Sequence, residues 1–113
     1  MSTPEQNRRQ YSRLKLQVPV ELILENATSP LRGATADLSA SGCYIESIFP
    51  HAVGTKLGLK LRLDDTLNVQ GTVVTRDPQV GNGIQFETMA PEDAEKLRAF
   101  LEAAEKEKDA AEK

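Results

Sequence analysis

Between Lys56 and Leu63 leucine takes every second position (Leu57, Leu59, Leu61, Leu63), and Lys56, Gly58, Lys60 and Arg62 fill the places between. Successive side chains of an extended chain point to opposite faces, so this segment has one apolar and one polar face and predicts a half-buried strand. Such a strand needs partners. Leu16, Val18, Val20, Leu22 and Leu24 repeat the same period, opposed by Gln17, Pro19, Glu21 and Ile23. Pro19 has no amide to donate, which predicts an edge strand or a bulge at that position.

Asn26 to Pro30 reads as a turn, and further strands are predicted at about Leu31–Leu38 and Gly42–Ser47, with Cys43 and Ile45 on one face and Tyr44 and Glu46 on the other. Asp64 and Asp65 make the turn into a fifth strand, Leu67–Arg76. Asp77, Pro78, Gly81 and Asn82 form a hairpin connection to a sixth, Gly83–Glu87. Six short antiparallel strands predict an all-β core closed as a barrel. From Pro91 the period becomes helical, with Ala94, Leu97, Phe100, Leu101 and Ala104 as a stripe that packs on the barrel. Beyond Ala104 the chain is nearly all Glu, Lys, Asp and Ala, and either extends the helix or frays.

A length of 113 residues with 39% hydrophobic content makes one domain: a basic arm over 1–15, the barrel over 16–90, and a helix with a charged tail over 91–113. The net charge of -3 and pI near 5.2 provide no global attraction to nucleic acid or to an anionic membrane. Aromatic content of 4% speaks against a single-strand nucleic-acid binder, which stacks bases on aromatic rings. No apolar run has the length of a membrane span or a signal-peptide core, so the expected location is the cytoplasm, without membrane insertion. Cys43 is the single cysteine and reads as a small buried apolar residue. His51 follows Pro50 in a surface loop without partners for a metal site or a triad. No nucleophile with a base and no acid–base pair stands out, which argues against an enzyme and against any metal or cofactor.

Two constellations carry chemistry. Arg8, Arg9 and Arg13 lie on the arm ahead of the first strand, where a solvated or sticky tail is the plain reading. Guanidinium forks can also grip a phosphate, pair with guanine O6 and N7, or stack on a base. Asp37, Ser39 and Gly42 occupy the corner after the second strand, where a serine-type turn is the plain reading. The Asp37 carboxylate is an acceptor only, which complements the N–H donors of guanine's Watson–Crick edge. Ser39 can bond a ligand or the turn, and Gly42 permits φ > 0 or close approach of a ligand. Arg76, at a strand end, and Tyr11, on the arm, read as solvated and as packing residues.

Arg9-Gln10-Tyr11-Ser12-Arg13, an RxxxR motif, and Asp37 to Gly42, a D-x-S-x-x-G motif, together resemble the PilZ domain family. Gly81-Asn82-Gly83-Ile84-Gln85-Phe86 is similar to that family's closing strand, and the resemblance runs from Arg8 to about Leu101. It implies a six-stranded antiparallel PilZ-type β-barrel with a mobile N-terminal arm and a C-terminal α-helix. It also implies binding of the bacterial second messenger cyclic di-GMP (c-di-GMP), with Arg9 and Arg13 on phosphate and guanine and with Asp37, Ser39 and Gly42 lining the same pocket. Arg8, just ahead of the motif, is similar to family members that hold two stacked ligand molecules. The implied function is a sensor module whose arm closes over the ligand and changes the surface offered to a downstream protein. The alternative is a ligand-independent, PilZ-like interaction adaptor with a merely basic tail.

Overall fold

The computed structural model describes residues 14–25 and 27–112, with 108–112 described by backbone alone. Among the described residues six strands, β1 (Pro19–Leu24), β2 (Leu31–Leu38), β3 (Gly42–Glu46), β4 (Lys56–Arg62), β5 (Thr66–Asp77) and β6 (Gly81–Met89), precede a helix, α1 (Pro91–Glu112). They close into a barrel in the order β1-β2-β3-β6-β5-β4, with every neighbouring pair antiparallel. Closure removes all edges. Pro19 is therefore not on an edge strand: it is the first residue of β1, opposite Ala34 of β2, and pairing to β4 starts one residue later at Val20. At that position the missing amide costs no ladder bond.

The period-two leucines do what their spacing dictates. Leu57, Leu59 and Leu61 are buried with Val20 and Leu22 from β1, Leu67, Val69 and Val73 from β5, and Ile84 from β6. Leu63 falls past the end of β4 and packs at the core's margin. Cys43 is fully buried beside Ile45, as the alternation in β3 requires. The helix lays a narrower stripe on the barrel than its sequence suggests. Leu97 is buried and Phe100 and Leu101 pack against the core, whereas Ala94 is exposed. Its start is tied down by the Lys96–Asp65 ion pair (3.2 Å) and by Asp93, which accepts the Asn68 amide at 3.4 Å.

The β5–β6 ladder runs further than the turn residues imply. Asp77 pairs with Gly81, so the connection is only Pro78-Gln79-Val80, and Gly81 and Asn82 belong to β6. Buried Asn82 is a bracket: its side-chain oxygen accepts the His51 amide at 2.7 Å, and its NH2 donates to the carbonyls of His51 (2.9 Å) and Thr75 (3.1 Å). His51 is consequently half-buried with its backbone clamped, not a loose surface residue. In this topology the β1–β2, β3–β4 and β5–β6 connections share one end of the barrel. The β2–β3 corner, the β4–β5 turn, the start of α1 and the entry of the N-terminal segment share the other.

Candidate ligand-binding site

The N-terminal segment enters the structure along β2. Leu14 and Leu38 exchange both backbone hydrogen bonds, each 2.9 Å long, in an isolated antiparallel bridge. Thr35, almost wholly buried, fastens the stretch that follows. Its amide donates to the Val18 carbonyl (3.0 Å), its Oγ1 accepts the Val18 amide (3.0 Å), and its hydroxyl donates to the Leu16 carbonyl (2.6 Å). Leu14 to Val18 thus run beside β2 as far as the residue that separates Asp37 from Ser39.

A bulge aims Asp37. Thr35 pairs with Ile45 and Asp37 with Tyr44, so Ala36 and Asp37 together oppose one residue of β3. Thr35 and Leu38 are both buried, a spacing of three that regular alternation forbids. Counting by twos from Thr35 would turn Asp37 inward; the extra residue instead puts it on the barrel's outer face, half-buried, opposite Tyr44. The Tyr44 hydroxyl donates to Asp77 Oδ2 at 2.7 Å. Partial removal from water, then that bond, then the charges of Asp77, Glu46 and Asp37 push the Tyr44 phenol up to about 12.

The corner itself is self-contained. The Ser39 amide donates to the Gly42 carbonyl (2.9 Å), while its fully buried hydroxyl accepts the Ser41 and Gly42 amides, each at 3.2 Å, and donates back to the Gly42 carbonyl at 3.2 Å. Ser39 therefore serves the turn with the whole of its hydrogen-bonding capacity. Gly42 does not use a positive φ. It is needed because a Cβ there would collide with the Ile84 carbonyl of β6. The Phe86 amide donates to the Ser41 carbonyl at 2.8 Å, so β6 backs the corner directly.

Asp37, Ser39 and Gly42 are thus brought together, Asp37 on the surface and the other two beneath it. Arg8, Arg9, Tyr11 and Arg13 lie outside the described residues. Arg76 is at the other end of the barrel, where its Nε donates to the Pro50 carbonyl at 3.3 Å. Among the described residues, no group of three or more His, Cys, Asp or Glu gathers as a metal site. No helix among the described residues is long and apolar enough to cross a membrane. Thr35 and the Tyr44–Asp77 pair were not singled out from sequence; a threonine in a strand and a tyrosine opposite a turn acid carry no signature until the register is known.

With this geometry in place, the family is plain. Residues 7–103 match the family described as PilZ domain, and the chain belongs to that family. No curated protein matches the sequence. Among solved structures, the Bacillus subtilis inhibitor of motility MotI/DgrA superposes with a TM-score of 0.71 at 20% identity, over 89% of this chain and 51% of that one. The PilZ domain of Escherichia coli YcgR with c-di-GMP superposes at 0.69 and 18% identity, covering 94% of this chain and 98% of that domain. The PilZ domain of CeSA from a cellulose-synthesizing bacterium superposes at 0.65 and 18%, covering 82% and 98%. At these identities the likeness is one of fold, and the chain spans about half the length of MotI/DgrA.

Proposed function

We propose that this domain is a c-di-GMP-binding sensor module of the cytoplasm, and that ligand binding reorders its N-terminal arm and so regulates a partner protein. The observation that carries the reading is the Leu14–Leu38 bridge. Arg13 is bonded covalently to Leu14, and Leu14 is paired with the residue between Asp37 and Ser39. Consecutive Cα atoms are about 3.8 Å apart, and this connectivity supports a placement of Arg13, one residue before Leu14, and of Arg9, four residues earlier, at the acidic corner. Membership of the PilZ family and the c-di-GMP held by the YcgR domain of the same fold support the choice of ligand.

In this reading Arg9 and Arg13 grip phosphate and guanine, Arg8 covers a second guanine, and Asp37 accepts from the Watson–Crick edge of the base. Ser39 and Gly42 act on the ligand by holding the corner in shape and presenting its backbone. The ligand is held, not hydrolysed. Titration calorimetry tests this. A charge-assisted contact contributes about 1.5–3 kcal/mol, so Arg13→Ala and Asp37→Ala should each weaken c-di-GMP binding by roughly tenfold to over a hundredfold. Undiminished affinity in Arg13→Ala removes the mechanism. Failure of the wild type to bind favours the adaptor reading, in which the Ser39 turn and the Gly42 contact have their structural reasons alone.

A further inference from the structure

A second cationic surface lies on the barrel wall made by β4, β1 and β2, among residues that the ligand reading does not use. Glu21 of β1 stands in one cross-strand row with Arg32 of β2 and Lys60 of β4. Val20 and Leu22 point into the core, so this row points out. Arg62 donates to Glu21 Oε2 at 2.8 Å, and Arg32 Nε lies 4.0 Å from the same oxygen. The bond from Arg62, with the neighbouring charges of Arg62, Arg32 and Lys60, holds the Glu21 carboxyl below its ordinary range against a smaller opposing effect of burial.

Three cations thus share one carboxylate, and positive charge is left over on a chain whose net charge is -3. The Glu21 side chain is only 14% exposed, whereas Arg32 is 88% and Arg62 49% exposed. The carboxylate is the floor and the guanidiniums are the rim. Between them lies a shallow depression of about 370 Å³, lined by Pro19, Val20 and Gly33 as well as these three residues. One step along the outward face of β1, Ile23 is 40% exposed beside Gly58, which has no side chain to cover it.

We propose that this wall docks an acidic segment of a partner protein, one carrying an apolar residue next to its carboxylates. Guanidinium forks match carboxylates two bonds at a time, and Arg32 and Arg62 hold such forks at the rim of one depression. The apolar residue covers Ile23. The positive area spans only two outward rows, Lys60 and Arg32 in one and Arg62 in the next, on a chain of net charge -3, which suits a short carboxylate-bearing segment better than a long polyanion or a charged membrane plane. The barrel has no open edge, so the contact is made through side chains and not by strand addition. The surface goes beyond the c-di-GMP reading and does not depend on it.

Fluorescence anisotropy of a fluorescein-labelled peptide of Leu-Glu-Glu repeats, titrated with the full chain, tests the assignment. The wild type should bind it and ignore a Leu-Lys-Lys counterpart. Arg32→Glu/Lys60→Glu should weaken binding at least about tenfold, with Arg32→Ala, a change at an exposed position, weakening it less. Glu21→Gln, which removes the lone carboxylate, should tighten it, the opposite of what a merely structural role for Glu21 gives. Affinity for c-di-GMP should be the same in all these variants, so a failure of the ligand reading shows in the wild type and leaves the peptide arm interpretable. The proposal is overturned by peptide affinity that is absent in the wild type or equal across the variants. It is also overturned if binding is lost instead in Arg8→Ala/Arg9→Ala/Arg13→Ala. A stronger, face-dependent binding of duplex DNA or of phosphatidylglycerol vesicles would overturn it as well.

Discussion

Thr35→Val isolates the joint between the N-terminal segment and the barrel. The side chains have nearly the same shape, so the core keeps its volume and only the hydroxyl is lost. Two hydrogen bonds go with it, from the Val18 amide at 3.0 Å and to the Leu16 carbonyl at 2.6 Å. Val18 is 4% exposed and Thr35 1%, so the Val18 amide is left without a partner and without water. A buried, unsatisfied amide costs about 1–3 kcal/mol, and the half-buried Leu16 carbonyl, which can turn to water, adds less. A loss of about 2–3 kcal/mol is expected in urea denaturation with an unchanged m-value. Thr35→Ser keeps the hydroxyl and should lose about 1 kcal/mol, the value of one buried methyl group. Amide exchange at Val18 should accelerate more than at Leu59 in the barrel core. A Thr35→Val protein within about 0.5 kcal/mol of wild type, or a serine variant equally damaged, would refute the reasoning.

Gly42→Ala drives a methyl group into the Ile84 carbonyl and should cost about 3 kcal/mol or prevent folding, read from the denaturation midpoint; a neutral alanine would mean that β3 and β6 are not so closely apposed. In a Tyr11→Phe background the phenolate absorbance reports Tyr44, the other of the two tyrosines. It should titrate near 12, and lower in Asp77→Asn, because the Asp77 carboxylate favours the protonated phenol. The folded phenol lies above the ordinary value of about 10, so its contribution to stability is complete below pH 10 and is lost as pH rises toward 12. Titration near 10 in both proteins would exclude the bond.

The barrel was legible because its signals are local and redundant. The leucines of β4 and the even positions of β1 declare their inward faces without knowledge of their partners, and Leu31–Leu38 coincides with β2. The errors share a cause. Pro19 suggests an edge or a bulge because chain chemistry does not reveal that the sheet closes, and closure places it at the start of β1, before pairing to β4 begins. Gly81 and Asn82 looked like turn residues because their use depends on the opposite strand: Asn82 braces a loop that begins at the end of β3. The bulge at Ala36 was hidden because its inward marker, Thr35, is polar and does not register in an apolar pattern. The motif at Asp37, Ser39 and Gly42 was legible as a unit, but the division of labour within it was not. Only the structure separates the outward carboxylate from a serine used by its own turn and a glycine pressed against β6.

A two-dimensional amide NMR titration of the full chain with c-di-GMP bears most directly on the central claim, that the arginine arm and the Asp37 corner meet around one nucleotide. Saturable shifts should concentrate at residues 8–14 and 37–42, the two segments joined through the Leu14–Leu38 bridge, and Asp37→Ala should abolish the shifts in both at once. Shifts confined to the Phe49–Val53 end of the barrel, or arm shifts that persist undiminished in Asp37→Ala, would contradict it.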